Sequence, residues 1–394
     1  MAAPSLSDRI RSLTPDGDGW DLFYEARRMV ASGVPVIELT IGEHDVRTDP
    51  SILDAMDRSA RSGHTGYAAV PGVAALREAV AARAELRTGV ATGAENVLIT
   101  PGGQSALFAA HMVACDPGTP AGYVSPHYAT YTGTILAAGG VPVEIRAHAE
   151  DGFEPRAEAI PEIGALLLNT PGNPTGAVYG RETLEGIAAR LAAMNAWAIS
   201  DEVYESMVWD GAHLSIRALP GMAERTLVVG SMSKSHAMTG SRIGWLIGPA
   251  EAIAHAADLA THTTYGVPGY IQDAALYALG EGRALEERVA GPFRRRRDLT
   301  LRVLADRPGM RVVPPKGGMY AMIDVRPTGL SGEAFAARLL RERHVAVMPG
   351  ESFGPAAAGH LRVALTVDDA RLEDALRTIA DLAAELRSSA SDVP

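Results

Sequence analysis

Between about residues 47 and 285, the chain alternates short apolar segments with amphipathic helical patterns. Near-continuous apolar strands separated by helices are typical of a mostly parallel sheet that helices cover on both faces. We therefore expect an α/β fold whose large domain contains a mostly parallel sheet of the seven-stranded type. Strands are predicted at residues 97–100, 122–125, 141–145, 165–169, 196–200 and 226–230.

The pattern changes after about residue 285, where strands and helices follow one another in mixed order. A chain of 394 residues is long enough for two packed domains. We expect an N-terminal segment 1–46 that packs with the small domain, a large domain 47–285 and a smaller α+β domain 286–394. The four arginines at 294–297 are interpreted as the solvated face of a helix that begins near Pro292.

Composition limits the partners that the chain can have. It has 36 basic and 47 acidic residues, a net charge of −11 with neutral histidine, which argues against broad binding to nucleic acid or to anionic lipid. Cys115 is the only cysteine, so an intrachain disulfide and a thiolate metal cluster are excluded, and no metal is expected. The chain shows neither a signal-peptide pattern nor a run of 18 apolar residues, so no membrane partner and a cytoplasmic location are expected.

Glycine-rich and polar residues follow several of the predicted strands. Ligands of open parallel sheets gather at the carboxyl ends of the strands, so these residues are candidates for a site. Gly103 and Gln104 lie between a strand and a helix, where glycine and free N–H groups favour a phosphate. A plain strand-to-helix turn is the alternative. The segment lacks the glycine spacing of dinucleotide and P-loop sites, which argues against a nicotinamide oxidoreductase.

Lys234 directly follows a predicted buried strand, at a place where an unpaired ammonium is costly. A desolvated lysine with a lowered pKa is what Schiff-base chemistry requires, although a lone lysine is more often a solvated loop residue. Arg242, eight residues later, could offer a planar fork to a phosphate.

Three further polar residues each allow two interpretations. Asp201 follows the strand 196–200, and it is either a helix N-cap or a buried carboxylate that pairs with a pyridinium nitrogen. Arg362 lies in a predicted strand, and it either faces solvent or binds a substrate carboxylate. Asn173 lies in a turn-rich loop whose prolines and glycines turn formation alone would explain.

Together, these segments resemble the class I/II (fold-type I) pyridoxal 5′-phosphate (PLP)-dependent aminotransferases, in particular the aspartate aminotransferase-like subgroup. The resemblance covers nearly the whole chain. Its most specific part is residues 231–244, Ser-Met-Ser-Lys-Ser-His-Ala-Met-Thr-Gly-Ser-Arg-Ile-Gly, and the segments 173–176, 201–204 and 349–354 occur in the expected order.

The resemblance implies a role for each candidate residue. Lys234 would hold PLP as a Schiff base and move a proton between the substrate Cα and the cofactor, with Asp201 and Tyr204 as the other catalytic residues. Tyr67 would reach the phosphate of a neighbouring subunit, so that a homodimer shares its active sites. The implied cofactor-binding residues are Gly103, Gln104, Tyr67, Tyr128, Asn173, Asp201, Tyr204, Ser231, Ser233, Lys234 and Arg242, and the implied substrate-binding residues are Gly42, Asn173 and Arg362.

The expected function is ping-pong exchange of an amino group between an L-amino acid and a 2-oxo acid. Aspartate-like, aromatic and aliphatic donors all remain open, with aspartate modestly ahead on the resemblance, although no single arginine or lysine is clearly placed for a distal carboxylate. The alternatives are a carbon–sulfur β-lyase or a cyclase-like enzyme on the same fold. A non-catalytic PLP-binding module is less favoured, because no basic helix-turn-helix pattern precedes the sheet.

Overall fold

The computed structural model describes residues 4–13 and 20–391 of the chain, and within them the strands form two sheets. The strands are β1 (Ile37–Leu39), β2 (Val97–Thr100), β3 (Pro120–Ser125), β4 (Val141–Arg146), β5 (Ala165–Asn169), β6 (Trp197–Asp201), β7 (Thr226–Ser231), β8 (Gly244–Ile247), β9 (Arg311–Val313), β10 (Tyr320–Asp324), β11 (Val345–Pro349) and β12 (His360–Ala364).

Helices cover these sheets and connect their strands. They are α1 (Asp8–Arg11), α2 (Asp21–Ala31), α3 (Pro50–Arg61), α4 (Ala74–Thr88), α5 (Gly103–Ala114), α6 (Tyr131–Ala137), α7 (Arg181–Met194), α8 (Met232–Ser235), α9 (Ala250–Thr261), α10 (Gly269–Gly280), α11 (Arg283–Leu304), α12 (Gly332–Arg343) and α13 (Asp369–Ser391). None of the helices in the described part of the chain is long and apolar enough to cross a membrane.

The larger sheet has seven strands in the order β2-β8-β7-β6-β5-β3-β4. The five strands from β7 to β4 are parallel, and β8 runs antiparallel to both of its neighbours. Strands β2, β5, β7 and β8 are buried along their whole length because helices cover both faces. The predicted α/β fold is confirmed, and all six predicted strands are present. The sequence patterns do not predict β8, because a four-residue apolar run has no diagnostic periodicity.

The smaller sheet has five strands in the order β1-β11-β12-β10-β9. Strand β1 pairs in parallel with β11, while the other pairs in this sheet are antiparallel. The N-terminal segment therefore contributes a strand to the C-terminal sheet. The boundaries of the predicted domains stay a prediction, and α11 runs through residue 285 without a break.

Helix α11 corrects two of the sequence-based interpretations. It begins at Arg283, and Pro292 lies inside it rather than near its start. The four arginines at 294–297 do not form one solvated face, because Arg296 is 4% exposed. The Arg296 guanidinium donates to Asp45 at 2.6 Å and to Asp369 at 3.0 Å. These ion pairs join the helix to the segment after β1 and to the start of α13.

Candidate active site

A cavity of about 240 Å³ opens at the carboxyl ends of β5, β6 and β7. Side chains from the small sheet close its other side, which fits the rule that ligands of open α/β sheets bind beyond the strand ends. The cavity brings together all but one of the predicted site residues: Gly42, Gly103, Gln104, Tyr128, Asn173, Asp201, Tyr204, Ser231, Ser233, Lys234, Arg242 and Arg362 line it.

Lys234 lies on the short helix α8, directly after the buried strand β7. The Ser231 hydroxyl caps this turn by accepting a hydrogen bond from the Ser233 backbone N–H at 3.1 Å. The Lys234 amine donates to the carbonyl oxygen of Gly42 at 2.5 Å, and His44 Nε2 contacts the Lys234 carbonyl at 2.9 Å. The amine is therefore fixed at the wall of the cavity, next to the chain segment that follows β1.

Asp201 is a buried carboxylate at the end of β6, with 4% of its surface exposed. Its oxygens accept hydrogen bonds from the Tyr131 hydroxyl at 2.7 Å and from the Val203 backbone N–H at 3.3 Å. Among the residues that the structure describes, no arginine, lysine or histidine forms an ion pair with it. Burial raises the pKa of Asp201 to about 6, although the bond from Tyr131 opposes that shift. This carboxylate is available for a positively charged ligand.

Tyr204 follows β6 and is also buried. Its ring meets that of Tyr320 edge-on, with the centroids 6.3 Å apart. Burial raises the pKa of Tyr204 well above its ordinary value, and the hydrogen bond with Tyr320 acts in the same direction. The phenol therefore stays neutral at physiological pH and can donate a hydrogen bond into the cavity.

The N-terminus of α5 and Arg242 form the polar end of the cavity. Gly102 has φ +78°, and a Cβ atom there would collide with the Arg242 guanidinium, so only glycine allows this close approach. The guanidinium is oriented by a bond from its Nη1 to the carbonyl oxygen of Thr239 at 2.8 Å. Free helix N–H groups beside an arginine form an anion site.

Gln104 contributes to this end of the cavity in a different way from its neighbours. Its side-chain Nε2 donates to the Thr134 hydroxyl at 2.9 Å, and its Oε1 accepts from the Thr130 hydroxyl at 3.0 Å. The side chain is thus held by α6 and the residue before it. The backbone N–H at the start of α5 is the group that Gln104 can offer to an anion.

Arg362 comes from β12 of the small sheet and is 3% exposed. Its guanidinium donates to Asn173 Oδ1 at 3.1 Å and to the Thr40 carbonyl oxygen. The guanidinium carbon also lies 4.5 Å from the ring centre of Tyr320 and 4.3 Å from that of Phe353. The Nε atom is buried and has no hydrogen-bond partner among the residues that the structure describes. A buried arginine held by neutral groups is suited to a carboxylate ligand.

Tyr67 is the predicted site residue that the structure does not bring to the cavity. It is 91% exposed, and its ring contacts that of Tyr265 at a centroid distance of 5.2 Å. The role of Tyr67 in a neighbouring subunit stays a prediction.

Sequence reasoning missed two tyrosines of the site. Tyr131 bonds to Asp201, and Tyr320 packs against Arg362. Tyr131 lies three residues after Tyr128 at the start of α6, a spacing that places two side chains on one face of a helical turn. Tyr320 could not be found in the same way, because its place beside Arg362 depends on the register of β10 and β12.

A second ionic cluster lies next to β6. Glu205 contacts Arg83 at 2.9 Å and Arg87 at 2.8 Å, and Glu202 contacts His213 Nε2 at 3.0 Å. The ligand atoms of Glu202, Glu205 and His213 lie within 4.8 Å of one another. Because cationic side chains already pair with these carboxylates, we assign no metal to the cluster, and the absence of a metal cofactor stays a prediction.

Together, the fold and the cavity place a buried arginine and a lysine amine in one cavity at the carboxyl ends of an α/β sheet, an arrangement typical of an enzyme site. The chain belongs to the aminotransferase class I and II family, whose model matches residues 34–379. It is 43% identical over 390 residues to the arginine–pyruvate transaminase of Pseudomonas aeruginosa, with 98% of this chain and 99% of that protein covered.

Two further comparisons agree with this assignment. The chain is 36% identical to the aspartate/prephenate aminotransferase of Thermus thermophilus, with 95% of this chain and 98% of that protein covered. The structure of the aspartate aminotransferase from Thermus thermophilus with maleate matches it with a TM-score of 0.90 at 35% identity, covering 96% of this chain and all of that one. The protein is a transaminase that exchanges an amino group between an amino acid and a 2-oxo acid, and the predicted function is confirmed at this level.

Proposed function

We propose that the protein performs this exchange with PLP bound in the cavity of about 240 Å³. Lys234 would attach the cofactor covalently, and Asp201 would hold the proton on its pyridine nitrogen. Tyr204 and Asn173 would donate hydrogen bonds to the ring oxygen, and Tyr128 would pack on the ring. The phosphate would lie among Gly103, Gln104, Ser231, Ser233 and Arg242.

The observation that carries this proposal is the buried Asp201 carboxylate without a cation from the described chain. A buried unpaired charge is costly, so it persists where a ligand supplies the partner. A protonated pyridine nitrogen is such a partner. The arginine and the helix N-terminus at the polar end of the cavity fit the phosphate of the same molecule.

The residues around the cavity divide the chemistry between them. When bound, the cofactor supplies a ring that withdraws electrons from the substrate Cα. Arg362 and Asn173 would bind the substrate α-carboxylate, with the Gly42 backbone beside it. The Lys234 amine would take the proton from the donor Cα in the first half of the exchange and give a proton to C2 of the acceptor in the second half. Tyr128 and Tyr320 would exclude water from the reacting atoms.

The attachment of the cofactor can be tested directly, because the chain has only two lysines, Lys234 and Lys316. Lys316 forms an ion pair with Glu154 at 3.0 Å, outside the residues that line the cavity, so Lys316→Ala is a matched control. The protein is treated with PLP, reduced with sodium borohydride and mapped by mass spectrometry. We expect a label on Lys234 in wild type and in Lys316→Ala, and no label and no turnover in Lys234→Ala. A label confined to Lys316 would refute the proposal.

We further propose that the functional unit is a homodimer in which Tyr67 reaches the phosphate end of the partner's cavity. Tyr67 and Tyr265 form an exposed aromatic pair, as expected of side chains that an interface covers. Sedimentation should give twice the chain mass of 41.4 kDa.

Subunit exchange tests whether the dimer shares its sites. Lys234→Ala and Tyr67→Ala homodimers should each be poorly active. If the sites are shared, each hybrid dimer regains one intact site, and an equal mixture recovers about a quarter of wild-type activity. A mixture that gains nothing would refute the sharing.

The cytoplasmic location is also a proposal. The one cysteine, Cys115, is buried, and no disulfide is needed to hold this fold. Fractionation of the source cells would test the location.

A further inference from the structure

This inference rests on the proposed function. In that function, each basic side chain in the described lining of the cavity already binds a group. The basic residues in its described lining are Lys234, Arg242 and Arg362. Lys234 attaches the cofactor, Arg242 binds its phosphate and Arg362 binds the substrate α-carboxylate. The described lining holds no further lysine or arginine for a second carboxylate on the substrate.

A larger cavity of about 980 Å³ adjoins the first one, and Trp20 and Gln104 line both. A substrate side chain that extended past these two residues would enter it. The described lining of this second cavity contains no lysine or arginine. Burial lowers the pKa of its one histidine, His127, to about 4, so the ring is neutral at physiological pH. Its one charged side chain is the carboxylate of Glu351.

The entrance of the first cavity also carries a carboxylate. Glu43 follows Gly42, and its carboxylate accepts a hydrogen bond from the Thr239 hydroxyl at 2.8 Å. Gly42 and Thr239 both line the cavity, so this exposed carboxylate lies at the entrance. From this chain, a second acidic group on the substrate would meet like charge at the entrance and, in the described lining, no opposite charge left unassigned inside.

We propose that the donor is an amino acid whose side chain is neutral or cationic, and that side chains ending in a carboxylate are rejected. Because donor and acceptor occupy the same site in turn, the acceptor is a 2-oxo acid with a single carboxylate. The donor loses its amino group and its Cα hydrogen and leaves as a 2-oxo acid, and the acceptor gains both. The donor Cα is oxidised by two electrons, and C2 of the acceptor is reduced by two. This differs from the preference for aspartate that the family resemblance suggested.

Two pairs of donors test the charge alone, because each pair has the same shape. Asparagine is compared with aspartate, and glutamine with glutamate, with pyruvate as the acceptor and kcat/KM as the readout. We expect each amide to exceed its acid by about a hundredfold, the size of effect that an unpaired charge in a shielded site produces. With leucine as the donor, pyruvate should exceed 2-oxoglutarate by a similar factor.

The outcomes separate this inference from the proposed function. If the acids react as well as the amides, or better, the substrate class is wrong and the transamination stands. If no donor of either class reacts while Lys234 takes up PLP, the catalytic proposal fails instead.

A pair of variants tests where the substrate side chain lies. Thr130 lines the second cavity and donates to the Gln104 side chain at the junction. Thr130→Lys adds a cation there, and Thr130→Met is its neutral control of similar length. We expect the lysine variant to reduce the preference for glutamine over glutamate at least about tenfold, and the methionine variant to leave that ratio unchanged. Equal ratios in both variants would place the side chain elsewhere. Borohydride labelling of Lys234 confirms that each variant still folds and binds PLP.

Discussion

Asp201 is a buried carboxylate, Glu205 is a partly buried one four residues later, and the two have opposite kinds of partner. Arg83 and Arg87 pair with Glu205, and although burial works against it, these arginines lower the pKa of Glu205. Asp201 receives hydrogen bonds from neutral groups, and burial raises its pKa to about 6. Within the described chain, Glu205 is neutralised by the protein, while Asp201 is left for a ligand.

Two buried arginines show the same contrast. Arg296 pairs with Asp45 and Asp369, and it joins elements of the fold. Arg362 is as deeply buried, but its described partners are an amide, a backbone carbonyl and two aromatic rings. A charge that the chain neutralises stabilises the structure, whereas a charge held without a counter-ion marks a binding site. Under the proposed function, Asp201 would meet the cofactor nitrogen and Arg362 the substrate α-carboxylate.

The largest effect should come from Asp201→Asn in the complete enzyme. An amide cannot hold a proton on the pyridine nitrogen, so we expect kcat/KM to fall about a thousandfold, which is about 4 kcal/mol of transition-state stabilisation. Steady-state kinetics with saturating PLP measure this fall. If kcat/KM of Asp201→Asn stayed within about threefold of wild type, Asp201 would have no greater part in catalysis than a structural carboxylate such as Glu205.

Glu205→Gln should affect stability rather than chemistry. Removing this carboxylate leaves Arg83 and Arg87 with Glu286 as their remaining partner at a partly buried position, and we expect the free energy of unfolding to fall by about 1.5 kcal/mol. Glu185→Gln is the control, since Glu185 pairs with Arg181 at an exposed position and should change stability by less than about 0.5 kcal/mol. Denaturant unfolding gives both values. Equal losses for the two variants would contradict the structural role of Glu205.

In the protein without cofactor, Asp201→Asn should change stability in the opposite direction to Glu205→Gln. The folded-state pKa of Asp201, about 6, lies above the ordinary 3.8, so the ionised carboxylate destabilises the fold above pH 6, and protonation relieves this as the pH falls towards 4. Asp201→Asn should therefore stabilise the cofactor-free protein at pH 7.5 by up to about 3 kcal/mol. Thermal unfolding from pH 4 to 8 measures the difference, which should shrink to about 0.5 kcal/mol at pH 4. If Asp201→Asn were less stable than wild type at pH 7.5, the ionised Asp201 carboxylate would not destabilise the fold.

Sequence patterns were sufficient to predict the order of the site residues. The lysine follows β7, the aspartate ends β6 and Gly103 begins α5, all at the same edge of one sheet, because parallel strands place their carboxyl ends together. They also identified Arg362, but they left open whether it faced solvent.

The contacts that distinguish the two kinds of buried charge were not predictable. Whether Arg296 meets Asp369 depends on how α11 packs against α13, a contact between residues 73 positions apart. The bond from Tyr131 to Asp201 spans 70 positions, and the side chain of Gln104 is held by residues of another element. Such pairings follow from tertiary packing and side-chain rotamers, which local periodicity does not encode.

Tyr131→Phe is the smallest change that tests the comparison, because it removes one hydroxyl and keeps the ring. The Tyr131 hydroxyl donates to Asp201 at 2.7 Å and favours its ionised form, so its loss should raise the pKa of Asp201 by about one unit and cost about 1 kcal/mol of cofactor binding near pH 6. The readout is the PLP association constant from pH 5 to 9. The pH below which the association constant falls should be higher in the variant than in wild type, and the two affinities should be equal at alkaline pH. Tyr123 is a buried tyrosine whose ring contacts His127, and Tyr123→Phe should leave this pH dependence unchanged. A uniform loss of affinity at every pH would assign Tyr131 to packing alone, and Asp201 would then be tuned by burial without help from its neighbour.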